Sequence, residues 1–149
     1  MTNKSGSADP APAPHPDLAA LQRLVGTWRI GGDAQGEVTY EWLPGGFFLI
    51  QHYRLTLFGH TVEGIEIIGH DRPFGQEPSQ DIRSRAYDNS GSTLDYVYEL
   101  SGDVLTIWGG ERGSQSFFTG TFNEDGNVNS GRWVYEGGGG YASTMTRVA

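Results

Sequence analysis

The apolar pattern of this chain changes period at Gly26. Before it, Leu18, Leu21 and Leu24-Val25 recur at helical spacing. Pro16-Asp17 just ahead of them supplies a cap and a first-turn proline, so one short helix is predicted there. After Gly26, β-branched and aromatic residues alternate with polar ones in short runs closed by turn signals. Ten strands are expected, over residues 27–31, 37–43, 47–58, 61–70, 82–88, 93–100, 104–108, 116–122, 129–136 and 141–148.

The turns between the runs carry the glycines. Pro44-Gly45-Gly46, Asn89-Ser90-Gly91, Ser101-Gly102-Asp103, Glu124-Asp125-Gly126 and the run 137–140 all offer positive φ without steric cost. Only 71–80, with Pro73 and Pro78, reads as a longer irregular loop. Short connections pair sequence neighbours in space, and a ten-strand meander hides its edges best by closing on itself. The expected fold is all-β: a single antiparallel up-and-down barrel of about eight to ten strands with a short N-terminal helix. A barrel of that size holds side chains plus one small ligand; an open sandwich is the second architecture. Residues 1–16, polar and carrying prolines at 10, 12, 14 and 16, read as a disordered tail before a barrel domain over 17–149.

Hairpin arithmetic assigns faces. A turn centred on Gly45 pairs Trp42 with Phe48, Tyr40 with Ile50 and Val38 with His52. A turn centred on Gly59 pairs His52 with Glu66 and Ile50 with Ile68. One face then holds Val38, Tyr40, Trp42, Phe48, Ile50, His52, Glu66 and Ile68, an apolar wall with one imidazole and one carboxylate. Thr39, Glu41, Gln51, Tyr53, Leu55, Ile65 and Ile67 fall on the other face, expected outside. A slip of one residue reverses such an assignment. Around Ser90, Arg85 pairs with Asp95; Arg83, Tyr87, Val97 and Glu99 share the solvent side, and Ser84, Tyr96 and Tyr98 point inward. The ligand-binding candidates are therefore Tyr40, Trp42, Ile50, His52, Glu66, Ser84, Tyr96 and Tyr98. The bland readings stand beside them: a structural His52–Glu66 pair, and tyrosines that are core residues with a bonded hydroxyl tip. Trp28 reads as structural, and Trp42, Trp108 and Trp133 as packing more than ligand contact. His60 and His70 are expected to be solvated, and His15 falls in the tail.

Charge and composition narrow the chemistry. The net charge is −8 and the pI near 4.8. With no Lys/Arg cluster this argues against nucleic acid and anionic membrane as partners. No segment reaches the roughly 20 apolar residues of a spanning helix, and no signal-peptide h-region opens the chain. There are no cysteines, which excludes disulfides, zinc–thiolate sites and thiol nucleophiles and fits a cytoplasmic location. P-loop, nucleophile-elbow, zincin and Rossmann motifs are missing. The acidic residues are scattered rather than grouped as a hard-cation cage, and 123–127 lacks the glutamate of a calcium loop. No metal and no cofactor is expected. Oligomeric state is open, a homodimer included.

Leu24-Val25-Gly26-Thr27-Trp28, at the end of the helix and the start of the first strand, resembles the Gly-x-Trp signature of lipocalins and their calycin relatives. The resemblance implies a helix closing one barrel end and a Trp packed beneath an Arg of the last strand, here Arg147. From about Leu18 to Val148 the chain also resembles the bacterial DUF1579-like group. The matching stretches are Tyr40-Glu41-Trp42-Leu43-Pro44-Gly45-Gly46-Phe47-Phe48, Glu66-Ile67-Ile68-Gly69-His70-Asp71, and Phe122-Asn123-Glu124-Asp125-Gly126 with Gly131-Arg132-Trp133. Nitrobindin-like haem barrels share the Gly-x-Trp start but carry an axial histidine near the C-terminal strand. Here that strand reads Tyr141-Ala142-Ser143-Thr144-Met145-Thr146-Arg147, which argues against haem. The expected function is binding of a small apolar or aromatic molecule inside the barrel, as carrier or sensor. A cofactor-independent isomerase or cyclase using the same cavity is the alternative, and a structural or interaction module with a filled core the third reading.

Overall fold

The computed structural model describes residues 12–149; the part of the predicted tail before residue 12 lies outside them. A 3₁₀ helix, Pro16–Leu24, follows His15 as its N-cap. Its three turn-spaced leucines, Leu18, Leu21 and Leu24, are all buried. A spacing of three is the period of a 3₁₀ helix, so the three side chains stack on one face.

Ten strands follow: β1 Gly26–Gly32, β2 Gln35–Trp42, β3 Phe48–Leu57, β4 His60–Gly69, β5 Ile82–Asp88, β6 Thr93–Ser101, β7 Val104–Gly109, β8 Phe117–Phe122, β9 Val128–Val134 and β10 Gly140–Arg147. Each pairs antiparallel with its sequence neighbours, and β1 closes on β10, giving a closed up-and-down barrel without free edges. The long loop between β4 and β5 is irregular as expected.

The closure is built as the Gly-x-Trp signature implies. Trp28 pairs in register with Arg147, and the guanidinium carbon sits 4.2 Å from the indole centroid. The indole N–H donates to the Leu24 carbonyl at 2.8 Å. Arg147 donates to the carbonyls of Arg23 and Val25 at 2.7 and 2.5 Å and to Asn127 Oδ1 at 3.0 Å. The Arg23 carbonyl lies within the helix's last turn, where acceptors lack intrahelical partners, so one side chain seals the seam and holds the helix end.

His70 does not lie in solvent. It is only 8% exposed, because the helix start folds onto it. Its Nδ1–H donates to the Ser79 carbonyl at 2.7 Å, and Nε2 meets Asp17 Oδ1 at 2.8 Å. The His15 ring lies 5.1 Å away.

Two registers differ from expectation. In the β2–β3 hairpin Tyr40 faces Gln51 and Thr39 faces His52, one residue from the pairing predicted. In β3–β4, Leu57 pairs with His60, and His52 with Ile65, not Glu66. The alternation of β3 is therefore reversed: Leu49, Gln51, Tyr53 and Leu55 face inward, and Phe48, Ile50 and His52 face outward. The two slips cancel for β4, whose Glu66 and Ile68 remain inside and buried. The β5–β6 register pairs Arg85 with Asp95 and Ser84 with Tyr96, as predicted.

On the outer wall Arg85–Asp95, Arg54–Glu63 and Arg83–Glu111 form exposed pairs that contribute little stability. Val97, placed on this solvent side from sequence, is fully buried. Its register partners are Arg83 and Trp108, and the β7–β8 loop folds back so that Arg112 stacks on Trp108 at 4.8 Å. On the inner wall Gly120 and Gly131 face each other across β8–β9. A Cβ on either would come within 2.6 Å of the Phe118 ring; the missing side chains make the space that ring occupies.

Candidate functional site: the barrel interior

The helix closes one end of the barrel, over Trp28, Leu49 and Ile68, all wholly buried. Above that floor lies a cavity of about 330 Å³, at the small end of the range for ligand pockets. Its walls are mostly apolar and aromatic, with Ile30, Val38, Ile107, Phe118 and Met145 among them, and six tyrosines: 40, 53, 96, 98, 135 and 141. The far end carries the β3–β4, β5–β6 and β9–β10 turns. There Leu94 and Tyr135 are exposed, and Phe58 is 71% exposed. The Phe58 ring meets Tyr141 edge-on at 6.1 Å, and Trp133 packs against both Tyr96 and Phe118. This aromatic end is the natural mouth.

One carboxyl sits inside. Glu66 is 6% exposed, and its Oε2 accepts from Ser84 Oγ at 2.5 Å and from the Tyr98 hydroxyl at 2.8 Å. Burial pushes its pKa up from the ordinary carboxylate value; the hydrogen bonds from Ser84 and Tyr98 partly offset this. Beside it the Gln51 amide donates to the Tyr40 hydroxyl. Burial, and next the charge of Glu66, raise Tyr40, Tyr96 and Tyr98, so these phenols stay neutral. From β9, Asn129 reaches the same cavity at 1% exposure. Its Nδ2 has no hydrogen-bond partner among the described residues.

Of the residues singled out from sequence, Tyr40, Glu66, Tyr96 and Tyr98 line this cavity. Ser84 stands behind Glu66 and holds it. Trp42 is directed inward but at the helix end, donating to Gln22 Oε1 at 2.8 Å. Ile50 and His52 are on the outer wall, where His52 Nε2 lies 3.3 Å from Glu41 Oε1. The buried His52–Glu66 pair does not exist, because the β3–β4 turn is one residue shorter than assumed. Gln51, Tyr53, Asn129, Trp133 and Tyr141 line the cavity without having been candidates. Trp133 carried a signal in its Gly-Arg-Trp motif; Asn129 carried none beyond the inward alternation Asn129, Gly131, Trp133.

Among the described residues one group has metal-ligand atoms close enough to share an ion. These are His15 Nδ1, Asp17 Oδ1 and His70 Nε2, within 4.8 Å of one another. The Asp17 backbone N–H donates to His15 Nδ1 at 3.1 Å, and Asp17 Oδ1 lies at hydrogen-bond distance, 2.8 Å, from His70 Nε2. The trio acts as a clamp on the helix start.

Fold and interior together define a closed ten-stranded barrel with a small, tyrosine-rich internal cavity. No family model matches the chain, and no curated protein matches it. No helix among the described residues is long and apolar enough to cross a membrane.

Proposed function

We propose that this protein binds a small, mostly apolar molecule inside the barrel, as a carrier or sensor. The observation that carries the reading is the cavity itself: about 330 Å³, apolar and aromatic over most of its wall, with a few polar groups converging in it. A purely structural module has no use for space of this kind, since interiors otherwise pack densely. The Gly-x-Trp closure and the DUF1579-like motifs favour placing the chain among bacterial calycin relatives; a chain without cysteine fits a cytoplasmic location. The enzymatic alternative, an isomerase or cyclase without cofactor, has one specific support: Glu66, buried and held above the ordinary carboxylate range, is a candidate proton donor. Haem finds no support, for β10 has no histidine and His52 points outward.

Calorimetric titration with hydroxyindole, a neutral aromatic probe, tests the binding reading. Ala86 lines the cavity and is 5% exposed, so Ala86→Phe fills the space. Binding to the native chain, abolished in the folded Ala86→Phe variant, is the expected result. Equal binding in both, or none in either, overturns the reading.

A further inference from the structure

Two lining residues, Asn129 and Glu66, each have a polar atom that no other described residue hydrogen-bonds. One is Asn129 Nδ2, a buried donor. The other is Glu66 Oε1: both hydrogen bonds to this carboxyl end on Oε2. Their strands, β4 and β9, lie five places apart either way round the closed ring, so the two groups approach from opposite walls. A buried donor without an acceptor costs free energy comparable to the bond it lacks.

Apart from the tyrosines, every titratable group of the lining is an acid. The lining contains the carboxyls of Glu66 and Asp88, and no Lys, Arg or His. An anionic guest would meet no counter-charge and would lie against a carboxyl. A cationic guest would meet that carboxyl together with tyrosine faces, which attract ammonium groups.

We propose that the cavity selects an aromatic ring carrying an alkylamine arm and a hydrogen-bond acceptor, and rejects carboxylates of the same shape. The ammonium lies against Glu66 among the rings of Tyr40, Tyr96 and Tyr98, and the acceptor at the other end of the molecule takes the hydrogen of Asn129 Nδ2. Ser84 and Tyr98 position Glu66 by occupying one oxygen and leaving the other for the guest. This rests on the cavity being a small-molecule site and adds the chemical class of the molecule.

Three probes of one skeleton separate the two ideas: serotonin, hydroxyindole and hydroxyindoleacetate, each titrated calorimetrically into the full chain. The expected order of affinity is serotonin, then hydroxyindole, then hydroxyindoleacetate, with about tenfold or more between the first and the last, the scale of one hydrogen bond to a charged group. In Glu66→Gln the advantage of serotonin over hydroxyindole disappears while hydroxyindole still binds. In Asn129→Leu all three weaken. If hydroxyindole binds the native chain but serotonin is no better than hydroxyindoleacetate, the amine assignment is overturned and the cavity reading stands. If hydroxyindole does not bind the native chain, both fall. The native-chain comparison decides even if a variant fails to fold.

Discussion

Trp28 and Arg147 face each other across the β1–β10 seam, the guanidinium 4.2 Å from the indole centroid. The pair joins the first strand to the last and, through the Arg23 and Val25 carbonyls, joins both to the helix. Lysine keeps the charge but not the planar fork that serves these acceptors together. Arg147→Lys should lower unfolding stability by about 2–3 kcal/mol, read as a lower urea midpoint at unchanged slope. A loss under about 0.5 kcal/mol, the level of an ordinary surface change, would mean that the seam is held elsewhere.

Glu66 ties stability to pH. Burial raises its pKa in the folded state, so the native protein holds a proton that the unfolded chain releases from about pH 4.3 upward. Stability contributed by this group is complete below that value and is lost as pH rises through the raised folded value. The titratable neighbours Tyr40, Tyr96 and Tyr98 are raised too and stay neutral throughout. Glu66→Gln removes the slope. In thermal melts of ligand-free protein the variant should match the native chain near pH 4 and exceed it near pH 8. A native chain more stable than the variant near pH 8 would show the ionised carboxylate to be a net stabiliser.

The glycine pair of β8–β9 can be tested against a neutral position. A Cβ at Gly120 would stand 2.2 Å from Asn129 Oδ1 and 2.6 Å from the Phe118 ring. Gly120→Ala should cost about 1–3 kcal/mol in urea unfolding. At Gly31 a Cβ meets nothing within 4 Å and the backbone is not left-handed. Gly31→Ala should be neutral or stabilising by up to about 1 kcal/mol. Equal costs at the two sites would contradict the packing described.

Phe58 is held at φ 52°, a conformation that bulky residues rarely adopt, with most of its ring in solvent over the mouth. Phe58→Gly relieves the backbone and loses one aromatic edge contact, so stability should change by less than about 1 kcal/mol. Stopped-flow measurement should show faster dissociation of hydroxyindole from the variant. Unchanged dissociation would show that the mouth lies elsewhere.

The strand count, order and closure were legible because turn glycines punctuate the chain at nearly every hairpin, and Gly-x-Trp announced the seam. The inner face of β3 was not. Leu57 and His60 pair directly, leaving Phe58-Gly59 as a two-residue turn with both φ positive. That geometry normally calls for Asn, Asp or Gly first, so a phenylalanine there hides it. At β2–β3 both Gly45 and Gly46 take positive φ, and the loop between the paired Leu43 and Phe48 holds four residues, an even number where an odd one was assumed. Each error flips a strand; two in succession left Glu66 correctly inside and His52 wrongly so. Asn129 was illegible for another reason: it is the polar first residue of the expected strand 129–136, and nothing beside it marks a buried donor.

Native mass spectrometry of the protein purified from its own host reads what the cavity holds. A single small molecule bound one to one, lost from the Ala86→Phe variant, is the predicted result. A bare chain, or the same adduct on both proteins, would contradict it.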